Sequence, residues 1–227
     1  MTSRARDKRP LDDRRMPAIK APIASLSPAE REWLSEAINY LNTAELQRFC
    51  AARIIPYKIY VETDNGRFVP TRDADRKGVI IDRVLHFLRT GIVKAQTTFR
   101  KPVISTKKLN RPPVEADQVL YGRYKNHDPA ILALMKALTD GKFEFGAVAQ
   151  EVLRGCWSRN EAPSYREFAR LWQKAAREYS KPNPEWAFLN DRTQGKAGRD
   201  WKTLRTRKAK AVIDLLNRIA RLPLACH

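Results

Sequence analysis

Tyr40-Leu-Asn-Thr-Ala-Glu-Leu-Gln-Arg-Phe-Cys50 and, further on, Arg76-Lys77-Gly-Val-Ile-Ile-Asp-Arg83-Val-Leu-His-Phe-Leu88 are the two stretches that decide how this chain is read. In the first, Asn42 and Glu45 form a capping box, and Leu46, Phe49 and Cys50 recur at helical spacing. In the second, Val79, Ile80, Val84, Phe87 and Leu88 line one stripe while Arg76, Lys77, Asp82, Arg83 and Arg89 fall mostly elsewhere. This predicts a helix from about Asp75 to Arg89, stopped by Gly91. Both segments therefore read as short amphipathic helices, the second opening on adjacent cations.

Working outward, Ser27-Pro28-Ala-Glu30 supplies a cap, a proline at the first helical position and a capping-box carboxylate, opening a helix through Trp33, Leu34, Ala37 and Ile38. Residues 1–25 mix Arg, Lys, Asp and Pro with little apolar content and read as a mobile basic arm. Between the two opening helices, Tyr57 to Pro70 holds two alternating β-prone runs around Asp64-Asn65-Gly66, a hairpin signal.

Residues 92–113 carry six Lys or Arg, among them Lys107 and Lys108, three prolines and no acid, which predicts an extended basic linker. A second helical unit is expected over 114–222. Asp128-Pro129 caps the apolar run Ile131 to Leu138, a further helix spans about Phe145 to Arg154, and Ser164 with Glu167 forms a third capping box ahead of Phe168, Leu171 and Trp172. Pro182 and Pro184 end that helix, and a last amphipathic helix runs from about Arg199 to Arg221 with a cationic front half. The predicted fold is mainly α: a helix pair with an inserted β-hairpin (26–91), the linker, and a small helical bundle.

The balance of 44 Lys and Arg against 25 Asp and Glu leaves a formal charge of +19. A field of that sign gathers polyanions, of which nucleic acid is the commonest. No run approaches the ~18 apolar residues of a membrane span, and the residues from Met1 to Pro10 lack the apolar centre of a secretory signal. A cytoplasmic protein is expected, nucleoid-associated if the source is bacterial, with no membrane partner. Three cysteines with no close pair argue against a disulfide framework or a zinc knuckle, and Cys50 and Cys156 read as core residues.

Leu41, Glu45-Leu46 and Phe49-Cys50, then Lys77-Gly-Val-Ile80-Ile81-Asp-Arg83-Val84, resemble the two helices of the SAP motif, a helix, extended turn and helix found in DNA-binding and chromatin-associated proteins. Phe87, Leu88 and Gly91 continue in the manner in which such domains often end. The connection departs from the family, which usually has a short glycine-containing turn where this chain has its hairpin. From Tyr121-Gly-Arg-Tyr-Lys-Asn126 through Gly141-Lys-Phe-Glu-Phe145 to Trp172 the chain also resembles an uncharacterised helical module that follows SAP-like domains in some bacterial proteins. The first resemblance implies DNA binding; the second implies no activity.

Cations at a helix mouth suit a phosphate that meets helix N–H groups and side chains together. That points to Arg76 and Lys77, with Arg72 ahead and Arg83 onward; Arg83 is equally suited to a salt bridge with Asp82 or Glu45. In the final helix, Arg199, Lys202, Arg205 and Lys208 repel at i,i+3 spacing, a repulsion that a polyanion would relieve. Tyr57, Tyr60, Phe68, Tyr121 and Tyr124 stand near cations and are candidates for stacking on unpaired bases. Trp33, Phe49, Phe87, Phe168 and Trp172 are assigned to the core.

The sequence thus predicts a non-enzymatic nucleic-acid-binding protein, without cofactor or metal, that favours duplex DNA through electrostatic, weakly sequence-specific contacts. Its candidate contacts are Arg72, Arg76, Lys77, Arg83, Lys107, Lys108, Arg199, Lys202, Arg205 and Lys208. Two alternatives stand beside it. One is a protein-interaction subunit of a nucleoprotein or ribonucleoprotein complex docking through the second helical unit, which apolar residues exposed on Ile131 to Leu138 or the last helix would favour. The other is a metal-dependent nuclease built on Asp73, Asp75 and Lys77.

Overall fold

Ser27 Oγ accepts the backbone N–H of Glu30, and the Glu30 carboxylate accepts the N–H of Ser27, so the first helix, α1 (Pro28–Ala37), begins on the box written in the sequence. The computed structural model of the chain describes residues 21–105, 107, 109–178 and 198–219, with the backbone alone for 198–202. After α1 come α2 (Thr43–Ala51), β1 (Lys58–Glu62), β2 (Phe68–Ala74), α3 (Lys77–Thr90), β3 (Thr97–Phe99), α4 (Pro129–Leu138), α5 (Ala147–Ser158), α6 (Tyr165–Glu178) and α7 (Gly198–Ile219). Among the described residues the fold is mainly α with one small mixed sheet.

The same local chemistry starts and stops the other helices. Asn42 and Glu45 close the box of α2, Asp128 caps α4 by accepting the N–H groups of Ala130 and Ile131, and Ser164 with Glu167 opens α6. Gly91, at φ +73, ends α3 in the left-handed conformation that glycine adopts without steric cost.

The expected hairpin forms. β1 and β2 pair antiparallel, with Tyr60 opposite Pro70 and Glu62 opposite Phe68, around a turn in which Gly66 has φ +76. Between Tyr60 and Lys58 the register shifts from Pro70 to Ala74, so Thr71, Arg72 and Asp73 together face Ile59, a bulge that pushes Arg72 outward.

Residues 92–113 are not a free linker. Thr97 to Phe99 pair parallel to β1 as a third strand, Val103 is fully buried, and Ile104 forms a bridge with Tyr121. The β-branched and aromatic residues of this stretch outweigh its basic charge, because Phe99 and Val103 fill a core that the helices leave open.

Two cores result. The first joins α1, α2 and α3 through Leu34, Leu46, Ile80 and Leu88, and it also takes Val212 and Leu216 of α7. The last helix therefore belongs with the N-terminal unit, and the boundary expected at 114–222 is corrected accordingly. Its apolar stripe finds its complement on α1 and the turn before it, rather than on α4 to α6. The second core joins the inner face of the sheet to α4, α5 and α6 through Ile59, Phe99, Met135, Leu153 and Phe168.

Of the arm, residues 1–20 lie outside the described residues, but Pro22–Ser25 form a 3-10 turn with Ile23 buried in the first core. Trp33 is 39% exposed and does not serve as core, whereas Phe49, Phe87, Phe168 and Trp172 do. The helix-ending Pro182 and Pro184, and Arg221 and Cys226, lie outside the described residues. Cys50 and Cys156 are buried, and burial pushes the Cys50 thiol up to about 12. No helix among the described residues is long and apolar enough to cross a membrane.

Candidate nucleic-acid interface

The mouth of α3 is occupied by the protein itself. Arg76, the N-cap residue, makes an ion pair with Glu151 of α5, and only 14% of its side chain is exposed. Lys77 donates its ammonium to the backbone carbonyl of Asn39. Positive charge at a helix N-terminus opposes the helix dipole. Here the Glu151 carboxylate offsets that cost, so the two cations expected to meet a phosphate instead hold α3 against α5 and against the turn after α1.

Arg83 is buried. Its guanidinium pairs with Asp75 and donates to the carbonyl of Pro56 at 3.1 Å and to Thr97 Oγ1 at 2.8 Å. The partner is neither Asp82, which takes Lys94, nor Glu45, which takes Arg205. One side chain thereby fixes the ends of β1 and β2 and the start of β3, and it has no surface left for a phosphate.

In α7 the repulsion among cations is relieved from within. Arg205 pairs with Glu45 and donates to the carbonyl of Tyr40 at 3.1 Å. Lys208 donates to the Tyr40 hydroxyl at 2.7 Å and lies 4.0 Å from the centre of its ring. Both residues dock the helix onto the α1–α2 corner. The side chains of Arg199 and Lys202, and all of Lys108, lie outside the described residues.

Arg72 and Lys107 remain exposed, and the side chain of neither makes a hydrogen bond or ion pair among the described residues, although the Lys107 carbonyl accepts from Arg123 at 3.3 Å. They have company that sequence reasoning missed: Lys58 on β1, Arg67 in the hairpin turn and Arg100 after β3 are equally exposed and unpartnered. Nearby acids, by contrast, are engaged. Asp64 pairs with Lys101 at 2.8 Å, Glu62 accepts the Lys101 N–H at 3.1 Å, and Asp73 accepts the Tyr121 hydroxyl at 2.7 Å. The alternation of Lys58-Ile-Tyr-Val-Glu62 was the available signal, since burying Ile59 on one face puts Lys58 and Tyr60 on the other.

From the β2 bulge the surface continues into a cleft of about 310 Å³ lined by Asp73, Tyr121, Lys125 and Arg154. Lys125 also lines an adjoining pocket of about 520 Å³, together with Lys107, Arg111 and Arg123, above an apolar floor that includes Ile131. Arg111 is held by both oxygens of Asp117 at 2.7 Å, while Lys125, like Lys107, is exposed and unpartnered among the described residues. Shared walls make one basic track, from the sheet through Lys125 to Lys107.

Among the aromatic candidates for stacking, Tyr57 packs on the first core. Tyr121 sits edge-on to Phe99 at 5.0 Å and to Trp157 at 5.6 Å, and Tyr124 to Phe168 at 5.9 Å. Tyr60 and Phe68 make no ring contact among the described residues, and unlike Tyr57 neither packs on a core.

Asp75 is committed to Arg83 and Asp73 to Tyr121, so each carboxylate serves a structural bond. Among the described residues no large apolar side chain is exposed on α4 or α7, the feature that would have favoured a protein-docking subunit. Comparison of the chain with protein-family models, with curated proteins and with solved structures gave no match.

Proposed function

We propose that this protein is a non-enzymatic nucleic-acid-binding protein that grips phosphates along the basic track from the sheet to the Lys107 pocket. The observation that carries the reading is the run of exposed cations from the sheet to the pocket beside Lys107, on residues whose acidic neighbours are engaged by internal bonds. The side chains of Lys58, Arg67, Arg72, Arg100, Lys107 and Lys125 are exposed and unpartnered among the described residues, whereas of the acids beside them Asp64 is paired with Lys101 and Asp73 accepts the Tyr121 hydroxyl. On a chain of formal charge +19 such a track is an attractive surface for a polyanion.

The helix pair α2 and α3 enters the proposal as a SAP-like unit in layout, with the hairpin in place of the short turn. Its role is that of a scaffold that presents the hairpin, because the expected contacts Arg76, Lys77 and Arg83 are spent on packing. The particular reason for a duplex lay in a phosphate meeting the mouth of α3. With that mouth filled, the proposal is for nucleic acid held by weakly sequence-specific phosphate contacts.

The test is fluorescence anisotropy of labelled duplex DNA, single-stranded DNA and RNA. If about six phosphates are contacted, affinity falls roughly a thousandfold between about 50 and about 200 mM salt. Arg72→Glu combined with Lys125→Glu is expected to weaken binding by tenfold or more. Binding that ignores both salt and the double reversal overturns the proposal.

A further inference from the structure

We infer that the outer face of the three-stranded sheet is a stacking platform for single-stranded nucleic acid. This rests on the nucleic-acid reading above and adds which form of the polymer the sheet selects. Side chains alternate between the faces of a strand. Ile59, Val61 and Phe99 turn inward onto the second core, so Lys58, Tyr60 and Glu62 of β1, Thr98 of β3, and Phe68 and Pro70 opposite β1 form the other face.

Two aromatic rings are left on that face. Phe68 is 39% exposed and Tyr60 half-buried, and neither contacts another ring among the described residues. The neighbouring core stacks its own aromatics edge to face, so this pair stands apart from that arrangement. Tyr60 and Phe68 are diagonal neighbours across β1 and β2, roughly 7–8 Å apart by strand geometry, within the reach of successive bases opened from their stack.

The charge around them favours one occupant. Lys58, Arg67, Arg72 and Arg100 border the rings with no partner of their own among the described residues, while Glu62 and Asp64 are both tied to Lys101. A ligand matching this surface carries flat π faces strung on anionic groups. A single strand offers both. A duplex offers the anions and keeps its base faces stacked inside, and an acidic peptide offers the anions alone.

The experiment measures binding of the full chain to oligothymidylate, to an abasic strand with the same number of phosphates, and to a duplex of equal length. Oligothymidylate is expected to bind at least tenfold tighter than the abasic strand. Phe68→Leu and Tyr60→Leu, which keep apolar bulk and remove the ring, are each expected to cost about 5- to 150-fold on oligothymidylate while leaving the abasic strand unchanged. Equal affinity for the two single strands, an unaltered Phe68→Leu protein, or displacement by polyglutamate as readily as by oligothymidylate would overturn the platform. If Arg72→Glu still weakened binding in those cases, the phosphate-gripping proposal would stand. If no strand bound at all, both would fall.

Discussion

Arg83 of α3 and Asp75, just ahead of that helix, form an ion pair whose side chains are 6% and 4% exposed. The same guanidinium reaches Pro56 and Thr97, so the pair joins both hairpin strands and the third strand to the helix behind them. It is the hinge pin of the sheet on which the proposed interface lies.

Removing one partner of a buried pair leaves an uncompensated charge, at a cost of about 3–5 kcal/mol. Asp75→Ala is therefore expected to lower unfolding stability by about that amount. Asp75→Leu combined with Arg83→Met, which removes both charges, should cost markedly less. Urea denaturation of the three proteins decides the matter. The affinity of whatever fraction remains folded for nucleic acid should be unchanged, because Arg83 offers no surface to a phosphate.

The last helix completes the first core. Leu216 is fully buried there, so Leu216→Ala should cost about 2–5 kcal/mol through lost burial and the cavity left behind. Ala211, exposed on the opposite side of the same helix, should tolerate Ser with little change. If α7 were a separate element folding with α4 to α6, Leu216→Ala would leave the melting of α1 to α3 unaffected, which hydrogen exchange can read directly.

Tyr121 gives a pH signature. Its phenol is pushed up to about 12, first by burial and then by the hydrogen bond to Asp73. The folded state thus holds this proton more tightly than the unfolded chain, whose tyrosines titrate near the usual value of about 10. The stability that follows is fully present below about pH 10 and is lost as pH rises toward about 12. Tyr121→Phe should flatten the fall of stability across that interval. An unchanged alkaline melting profile in Tyr121→Phe would mean that the phenol is neither buried nor bonded to Asp73 in solution.

Local chemistry was legible in the sequence and long-range pairing was not. The capping boxes of Ser27, Asn42 and Ser164, the stop at Gly91 and the turn at Asp64-Asn65-Gly66 each depend on residues a few positions apart. The partners of the cations lie far off along the chain: Glu151 for Arg76, Glu45 for Arg205, Asn39 for Lys77. Counting charges on one helix therefore overstated how many were available to a ligand. Thr97 to Phe99 was hidden for a related reason, since a short parallel strand has no signature apart from the partner it pairs with. The free cations of the hairpin sat in a segment read for its turn rather than for its outer face.

The helix mouth and the sheet make separable contributions to stability and to binding. Arg76 and Glu151 tie α3 to α5 across the two cores, with Glu151 61% exposed, so solvent screening limits the pair to about 1 kcal/mol. Arg76→Glu sets like charges against each other and should lower the melting temperature. Exchanging the pair, Arg76→Glu with Glu151→Arg, should restore most of the loss, because the contact is symmetric in sign although not in the helix dipole. In nucleic-acid binding the order reverses. Arg72, exposed and unpartnered among the described residues, should dominate: Arg72→Glu is expected to weaken affinity several-fold more than Arg76→Glu does. Melting curves and anisotropy on these same variants give the answer. Should Arg76→Glu cost as much affinity as Arg72→Glu while the exchanged pair regains stability but not binding, the anchor is the mouth of α3, and the sheet is only its support.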